Sequence, residues 1–206
     1  LIVHEKVYKV FIDRLVAQAR KLKIGNGLNP HVQMGPLVSR AQRDAVQRYV
    51  KIGKDKDKAR LLTGGKIMSD GEFAQGFFHE PTIFEGHPGM VIAREEIFGP
   101  VVTVMKVKTF EEAMDVLNDT NYGLSGAVYT RDVNRVMRAV RDMRTGITYI
   151  NAPTIGAEAH LPFGGVKQTG NGHREGGWEV YEFFSETKVG YVDYSGALQR
   201  AQIDNY

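Results

Sequence analysis

Hydrophobic positions recur at helical spacing in the first third of the chain and predict two amphipathic helices there. A short strand-like run over residues 1–3 leads into a helix over residues 4–22. The apolar stripe of this first helix consists of Val7, Phe11, Leu15 and Leu22. A second helix is predicted to begin at Ser39, because Ser39 and Gln42 have the spacing of a capping box. A short strand is expected over residues 60–63, just before a pair of glycines.

Strand patterns and helix patterns alternate between Gly99 and Asn151. Runs rich in β-branched residues predict strands over residues 101–107, 126–130 and 146–150. The intervening helices begin at Thr109 and Asp132, both of which are favourable capping residues. Strands and helices that alternate with short links are typical of a parallel sheet with right-handed crossovers. The sequence therefore predicts an α/β fold, with these three strands in one parallel sheet.

The pattern changes after Pro162, where a glycine-rich stretch begins. A short helix is expected over residues 177–184 and a strand over residues 188–192. This last strand has no partner nearby in the sequence, so we expect it to pair elsewhere. The chain is accordingly divided into a domain over residues 1–166 and a C-terminal segment over residues 167–206.

Composition and charge argue against several classes of function. The chain has 206 residues and a net charge of +3, and its basic residues do not form a stripe, which argues against nucleic-acid binding. No apolar run is long enough for a membrane span and no secretory signal is visible, so we expect a cytoplasmic protein. The six histidines lack the spacing of metal ligands, and no cysteine is present, so no metal site is expected. Because Leu1 falls directly in a strand-like run, we interpret it as a cut in a longer chain.

Glu96 and Phe98 are the first candidates for chemistry. They lie two residues apart just before a predicted strand, so on an extended segment they share one face near the end of a sheet, where open α/β folds bind ligands. There, a carboxylate can accept hydrogen bonds from ribose hydroxyls and an aromatic ring can flank a nicotinamide. The physics of these residues alone favours the alternative, a solvated glutamate beside a core phenylalanine.

The glycine-rich stretch over residues 162–172 invites comparison with a phosphate-binding loop. It lacks the Gly-Lys-Ser/Thr ending that places a lysine and a hydroxyl on the phosphates. Its glycines therefore indicate a tight turn or a close approach between backbone segments.

An ordered series of short motifs gives the chain a more specific resemblance. The series is Gly35-Pro36-Leu37, Gly64-Gly65, Pro81-Thr82, Glu95 to Val101, Asn118 with Tyr122 to Ser125, Gly146, Asn151, Pro162 to Gly165 and Gly170-Asn171-Gly172. In this order and spacing, the motifs resemble the C-terminal part of the NAD(P)-dependent aldehyde dehydrogenase superfamily along essentially the whole chain. The resemblance implies a parallel-sheet catalytic domain over residues 1–166 and an oligomerisation strand in the C-terminal segment.

The resemblance also implies which residues contact the cofactor, NAD or NADP. Glu96 matches the family's ribose-binding glutamate, and Phe98 matches the phenylalanine that packs on the nicotinamide. Gln42 falls at a helix position that touches a ribose of the cofactor. The residues that distinguish NAD from NADP precede the position of Leu1.

Five further residues acquire roles on the substrate side by the same resemblance. Phe163 falls at an aromatic position that lines the aldehyde tunnel, and Glu158 and His160 lie in the loop that shapes substrate choice. Asn151 matches an asparagine that supports the catalytic pocket. Glu175 matches a glutamate that helps organise the proton path, with structural support as an equal alternative.

The central chemistry of the family requires a group that this chain does not contain. A cysteine thiolate adds to the aldehyde, hydride passes to the nicotinamide, and water attacks the thioester. The chain has no cysteine, and the resemblance places the nucleophile, the general base and the nucleotide-binding domain before Leu1. We therefore expect an inactive fragment of a homo-oligomeric enzyme that oxidises a small aldehyde. A non-catalytic assembly partner with this fold, or an acylating or phosphate-reducing relative, remains an alternative.

The substrate loop and the C-terminal tail resemble those of one branch of the family. Residues 150–158 and 193–196, together with Leu198 and Gln199, are similar to the dicarboxylic semialdehyde dehydrogenases. Such a substrate carries a carboxylate and implies a cation nearby, for which His160 is the only candidate within the loop.

Overall fold

The computed structural model describes residues 1–197. Its strands are β1 (Ile2–His4), β2 (Arg60–Thr63), β3 (Ile67–Met68), β4 (Phe78–His79), β5 (Thr82–Gly86), β6 (Val101–Val107), β7 (Ser125–Val128) and β8 (Ile147–Ile150). Its α-helices are α1 (Glu5–Lys21), α2 (Arg40–Asp55), α3 (Val91–Arg94), α4 (Phe110–Asn118), α5 (Val133–Asp142) and α6 (Glu179–Phe183). Single 3₁₀ turns cover Gly71–Phe73 and Lys167–Thr169. Among the helices in this part of the chain, none has the length and apolarity to cross a membrane.

The main sheet has the strand order β1-β6-β5-β2 and is covered on both faces by helices. β6 pairs in parallel with both β1 and β5, whereas β2 adds to β5 antiparallel. Because neighbouring residues of a strand point to opposite faces, Phe84 packs against α2 while Ile83 packs against α1. The result is a three-layer α/β architecture with a parallel-dominated sheet, so the predicted fold class is confirmed.

β7 and β8 form a separate parallel pair. The prediction that they continue the sheet of β6 is therefore wrong. Both edges of β6 are already occupied, by β1 and by β5, so no edge remains for β7. A third hydrophobic cluster joins α4 and α5 to this pair, with Met114, Ala139 and Met143 as its buried members. The side chain of Asn118 joins the two helix ends, since it donates to the carbonyl of Asp142 and accepts from the amide of Arg144.

Two elements of the sheet region differ from the predicted ones. β5 is central to the main sheet but is absent from the predicted elements, because its five residues follow a proline and end at Gly86. The predicted strand over residues 188–192 does not form within the described residues, which end at 197. A strand requires a hydrogen-bonded neighbour, whereas Val189 and Tyr191 in this stretch are exposed. Residues 198–206 of the predicted C-terminal segment, including Leu198 and Gln199, lie outside the described part.

The glycine-rich stretch packs closely on the start of β8, as its composition indicated. A side chain at Gly146 would collide with the backbone carbonyl of Gly164. Lys167 then binds the end of α4, donating from Nζ to the carbonyls of Asn118 and Thr120 at 2.8 and 3.0 Å. These contacts fix the C-terminal segment to the turn after α4.

A buried histidine links β4 to α2. His79 is 2% exposed. Its Nδ1 donates to the carbonyl of Glu80 at 2.9 Å, and its Nε2 faces the side-chain amide of Gln47 at 3.1 Å. Burial lowers the pKa of His79 from its ordinary value of 6.5, because the charged ring would lose its hydration.

We predict that this histidine makes the fold less stable in mild acid. A lowered pKa in the folded state means that the unfolded chain binds the proton more readily, so the stabilisation is complete above pH 6.5 and is lost as the pH falls through the lowered pKa. Between pH 8 and pH 5, the melting temperature should decrease once the pH is under 6.5. The decrease should be smaller in a His79→Gln variant. Identical profiles for the two proteins would contradict this assignment.

Candidate functional site

The segment from Glu95 to Pro100 joins α3 to β6. It lies at the amino end of β6, and not at the carboxyl end that open α/β folds use for ligands. Ile97 is buried in the main core, whereas Glu96 and Phe98 on either side of it are exposed. The two candidate side chains are therefore held at the surface by the burial of the residue between them.

One stripe of α2 carries this segment. The side-chain Nε2 of Gln42 donates to the carbonyls of Ile97 and Phe98, at 2.9 Å each. One turn along, Val46 is fully buried, and a side chain at Gly99 would collide with it. These contacts press the segment against the helix surface.

The N-terminal cap of α2 forms without the side chain of Gln42, which is therefore available for these bonds. Ser39 Oγ accepts from the backbone amide of Gln42 at 3.1 Å, which confirms half of the predicted capping box. The other half is wrong, because the Gln42 side chain turns towards Ile97 and Phe98 and not back to Ser39. A glutamine at this helix position thus serves the candidate site.

Phe98 departs from the ordinary behaviour of its residue type in two respects. Its φ of +49° lies in the left-handed region that phenylalanine seldom occupies. Its side chain is 76% exposed, so the alternative of a core phenylalanine is wrong. Residues held in such a backbone conformation cluster at ligand sites, and the exposed ring of Phe98 is free to contact a ligand.

Tyr49 is a further member of this site that was not predicted from the sequence. Its hydroxyl donates to Oε2 of Glu95 at 2.8 Å, and this hydrogen bond raises the pKa of Tyr49. Tyr49 lies seven residues after Gln42 and three after Val46, so all three share one face of α2. That spacing was visible in the sequence, but nothing there indicated that the segment from Glu95 onward would pack on this face.

Phe163 and Glu175 are brought together as a second group. They form an antiparallel bridge in which the backbone amide of each donates to the carbonyl of the other. Phe163 is half-buried and Glu175 is exposed. The bridge closes the glycine-rich stretch into a hairpin-like loop with these two side chains at its base.

The predicted substrate loop packs against this hairpin. The carbonyl of Ala159 accepts from the backbone amide of Gly177 at 3.1 Å, and the carbonyl of Glu158 accepts from the amide of Leu161 at 2.9 Å. The side chains of Glu158 and His160 are exposed. Within residues 1–197, no cluster of three or more histidine, aspartate or glutamate side chains is arranged for a metal ion.

Asn151 closes the end of the β7·β8 pair. Its side chain donates to the carbonyl of Thr130 and accepts from the amide of Thr130, both at 2.9 Å. Its φ of +55° is in the left-handed region, which asparagine tolerates better than most residues. Both polar ends of Asn151 are thus engaged by backbone.

Comparisons with known proteins agree on one family. The profile of the aldehyde dehydrogenase family matches residues 1–189. A betaine aldehyde dehydrogenase of Mesorhizobium japonicum is 44% identical over 192 residues, which make up 93% of this chain and 39% of that protein. The alpha-ketoglutaric semialdehyde dehydrogenase of Bacillus subtilis is 36% identical over 193 residues, with the same two coverages. The chain therefore spans well under half the length of these curated relatives.

A similar solved structure supports the same assignment. The crystal structure of betaine aldehyde dehydrogenase from Staphylococcus aureus in complex with NAD+ has a TM-score of 0.85 and 34% sequence identity to this chain. The match covers 89% of this chain and 36% of that one. At this identity, similarity of fold and similarity of sequence point to the same relationship.

We predict that Asn151 stabilises the β7·β8 pair through its side chain and its backbone conformation. Asn151→Ala removes two hydrogen bonds and places a Cβ residue without polar compensation at positive φ, at an expected cost of about 1–3 kcal/mol. Asn151→Gly loses the same hydrogen bonds but relieves the backbone strain, so it should cost about 1 kcal/mol less than the alanine variant.

Urea unfolding of the 206-residue chain, followed by far-ultraviolet circular dichroism, measures both costs. An alanine variant as stable as the glycine variant would show that positive φ carries no penalty here.

Proposed function

The chain belongs to the aldehyde dehydrogenase family, and from that premise we propose that it is the C-terminal catalytic-domain part of an enzyme that oxidises a small aldehyde to a carboxylic acid with NAD+ or NADP+. The observation that carries this proposal is the exposed pair Glu96 and Phe98, on a segment that Gln42 of α2 holds with Phe98 in the left-handed region.

The absence of a nucleophile supports the proposal that the chain is only part of the enzyme. The family's reaction needs a thiolate, and the chain contains no cysteine. It also spans 39% of the length of the relative in Mesorhizobium japonicum. We therefore propose that the nucleophile, the general base and most of the nucleotide site belong to a preceding part of the protein, and that this chain is inactive alone.

On the cofactor side, we propose that Glu96 accepts the ribose hydroxyls and that Phe98 packs on the nicotinamide ring. An exposed carboxylate can accept both hydroxyls of a ribose, and an exposed aromatic ring offers a flat apolar surface. Gln42 completes this group on α2. NAD+ is the first cofactor to test, because the relative from Staphylococcus aureus was crystallised with it.

On the substrate side, we propose that Phe163 lines the path of the aldehyde and that Glu158 and His160 contact its far end. We propose that Asn151, hydrogen-bonded to Thr130 at the end of the β7·β8 pair, supports the catalytic pocket. We also propose that Glu175, bridged to Phe163, takes part in proton movement, with structural support as the alternative. When bound, the cofactor supplies the hydride acceptor, while these residues orient the aldehyde.

Two classes of charged aldehyde are consistent with this loop. His160 is its only basic residue and favours a semialdehyde that carries a carboxylate, as in the relative from Bacillus subtilis. Glu158 is its only acidic residue and favours a cationic aldehyde such as the substrate named for the Mesorhizobium japonicum relative. We propose the semialdehyde as the first substrate class to test and the cationic aldehyde as the second.

Large apolar side chains left exposed support a role in a larger assembly. Val133, Met137 and Val140 form an exposed stripe on α5, and Trp178 and Phe184 are exposed around α6. A monomeric domain seldom exposes so many contiguous apolar side chains. We propose that the rest of the protein and a second copy cover them, with residues 188–192 adding as a strand to the neighbour's sheet.

The experiment compares the 206-residue chain with the longer protein proposed to contain it, using absorbance at 340 nm to follow reduction of the cofactor. The longer protein should oxidise an aldehyde and lose this activity after alkylation with iodoacetamide, whereas the chain alone should be inactive. Activity of the cysteine-free chain would overturn the proposal. A product that forms only with coenzyme A or phosphate would favour the acylating relative.

The substrate class is tested in the longer protein with two substitutions, one that removes the basic residue of the loop and one that removes its acidic residue. His160→Gln should lower kcat/KM for the semialdehyde by about fivefold to tenfold, because one charge-assisted contact is lost, and Glu158→Gln should leave it within about twofold. With a trimethylammonium aldehyde, a loss of kcat/KM in Glu158→Gln and little change in His160→Gln would select the cationic substrate class instead.

A further inference from the structure

The two hydrogen bonds from Gln42 constrain one pair of backbone torsions. The carbonyl of Ile97 belongs to the peptide plane before Phe98, and the carbonyl of Phe98 belongs to the plane after it. The relative orientation of these two planes is set by φ and ψ of Phe98 alone, because each peptide unit is planar. A donor that lies 2.9 Å from both oxygens therefore holds Phe98 in its left-handed conformation.

The same contacts leave Gln42 without a free donor for a ligand. A primary amide has two N–H hydrogens, and the two carbonyls account for both. Gln42 is half-buried beneath the segment, whereas Glu96 and Phe98 are exposed above it. Its remaining polar group is the side-chain oxygen, which can only accept.

The rest of the α2 stripe prevents the segment from compensating for a lost bond by settling closer to the helix. Val46 is fully buried against Gly99, where even a Cβ would collide with it. Tyr49 binds Glu95 at the other end of the segment. The segment is thus fixed at both ends, and Gln42 sets the torsions between them.

We propose that Gln42 is a positioning residue: it orients Phe98 and Glu96 for the nicotinamide riboside half of the cofactor by clamping the two peptide planes around Phe98. This inference rests on the proposed function, because it assigns a role within the proposed cofactor site. It differs from direct recognition of a ribose by Gln42, because the contact runs through backbone oxygens.

The test uses the longer protein and two ligands that share the adenosine half. NAD+ carries the nicotinamide riboside, whereas adenosine monophosphate lacks it, so only NAD+ should sense the orientation of Phe98. Gln42→Met removes both donor and acceptor. Gln42→Glu keeps an acceptor but places a carboxylate against two carbonyls. Isothermal titration calorimetry gives Kd for each ligand.

We expect both Gln42 variants to weaken NAD+ binding by about tenfold, as for the loss of one or two hydrogen bonds of modest net strength, and to leave binding of adenosine monophosphate within twofold. Gln47→Met is the matched control. It removes a glutamine from the same helix that contacts His79 and not the segment, so NAD+ binding should stay within about twofold of the wild type.

Three outcomes would overturn the proposal. NAD+ binding that is normal in Gln42→Glu but weak in Gln42→Met would mean that the side-chain oxygen contacts the cofactor directly. Equal weakening of both ligands would mean a general loss of structure, and no weakening in either variant would mean no role. A wild-type protein that binds neither NAD+ nor NADP+ would refute the proposed function itself, which separates the two failures.

Should both Gln42 variants fail to fold, Gly99→Ala provides an independent route. It lifts the segment from Val46 without altering Gln42. The same selective loss of NAD+ binding is expected, and unchanged NAD+ binding would count against the positioning role.

Discussion

The packing of α2 against the main sheet and against the segment before β6 is the constraint on which the candidate site depends. Val46 and Val50 are fully buried in the same cluster as Phe84 of the central strand β5. The neighbouring side chains Gln42 and Tyr49 extend this face of the helix to the segment that begins at Glu95. A single helix face thus joins the hydrophobic core to the residues proposed to meet the cofactor. The packing of the core therefore fixes the position of the site.

The two proposed half-sites belong to different parts of the fold. The cofactor group lies on α2 and the amino end of β6, whereas Phe163 and Glu175 lie in the glycine-rich hairpin that packs on β8. The ion pair between Arg94 and Asp119, at 2.9 Å, links these two regions across the surface. Such an exposed pair contributes little to stability. α4 also connects the two regions, because it packs on β1 and β6 and its end binds Lys167 of the C-terminal segment.

Helices and their starting points were predictable because they depend on local sequence. Asp132 accepts from the amides of Asn134 and Arg135, and Thr109 accepts from the amide of Glu112, as their capping patterns predicted. The pairing of strands was not predictable in the same way. The adjacency of β1 and β6 joins residues about a hundred positions apart, and with β5 on the other side it left no edge of β6 for β7. No local pattern encodes that competition.

The candidate residues show the same division. The exposure of Glu96 agrees with the sequence-based expectation, whereas the exposure of Phe98 does not follow from the residues alone, which favoured a core phenylalanine. The left-handed backbone of Phe98 does not follow from sequence, because phenylalanine gives no signal for it and the cause lies in Gln42, 56 residues earlier. The hydrogen bond from Lys167 to the carbonyl of Asn118 at the end of α4 is likewise not indicated by the sequence. These contacts depend on tertiary structure that a single sequence does not display.

The intact mass of the native protein is the measurement that decides whether this chain is the catalytic-domain part of a larger aldehyde dehydrogenase. The chain has a mass of 23.0 kDa and spans 39% of its relative in Mesorhizobium japonicum. We expect a native polypeptide of roughly two and a half times that mass, scaled from this coverage, with a cysteine before the position of Leu1. A native polypeptide of 23.0 kDa would contradict it and would favour a non-catalytic assembly partner.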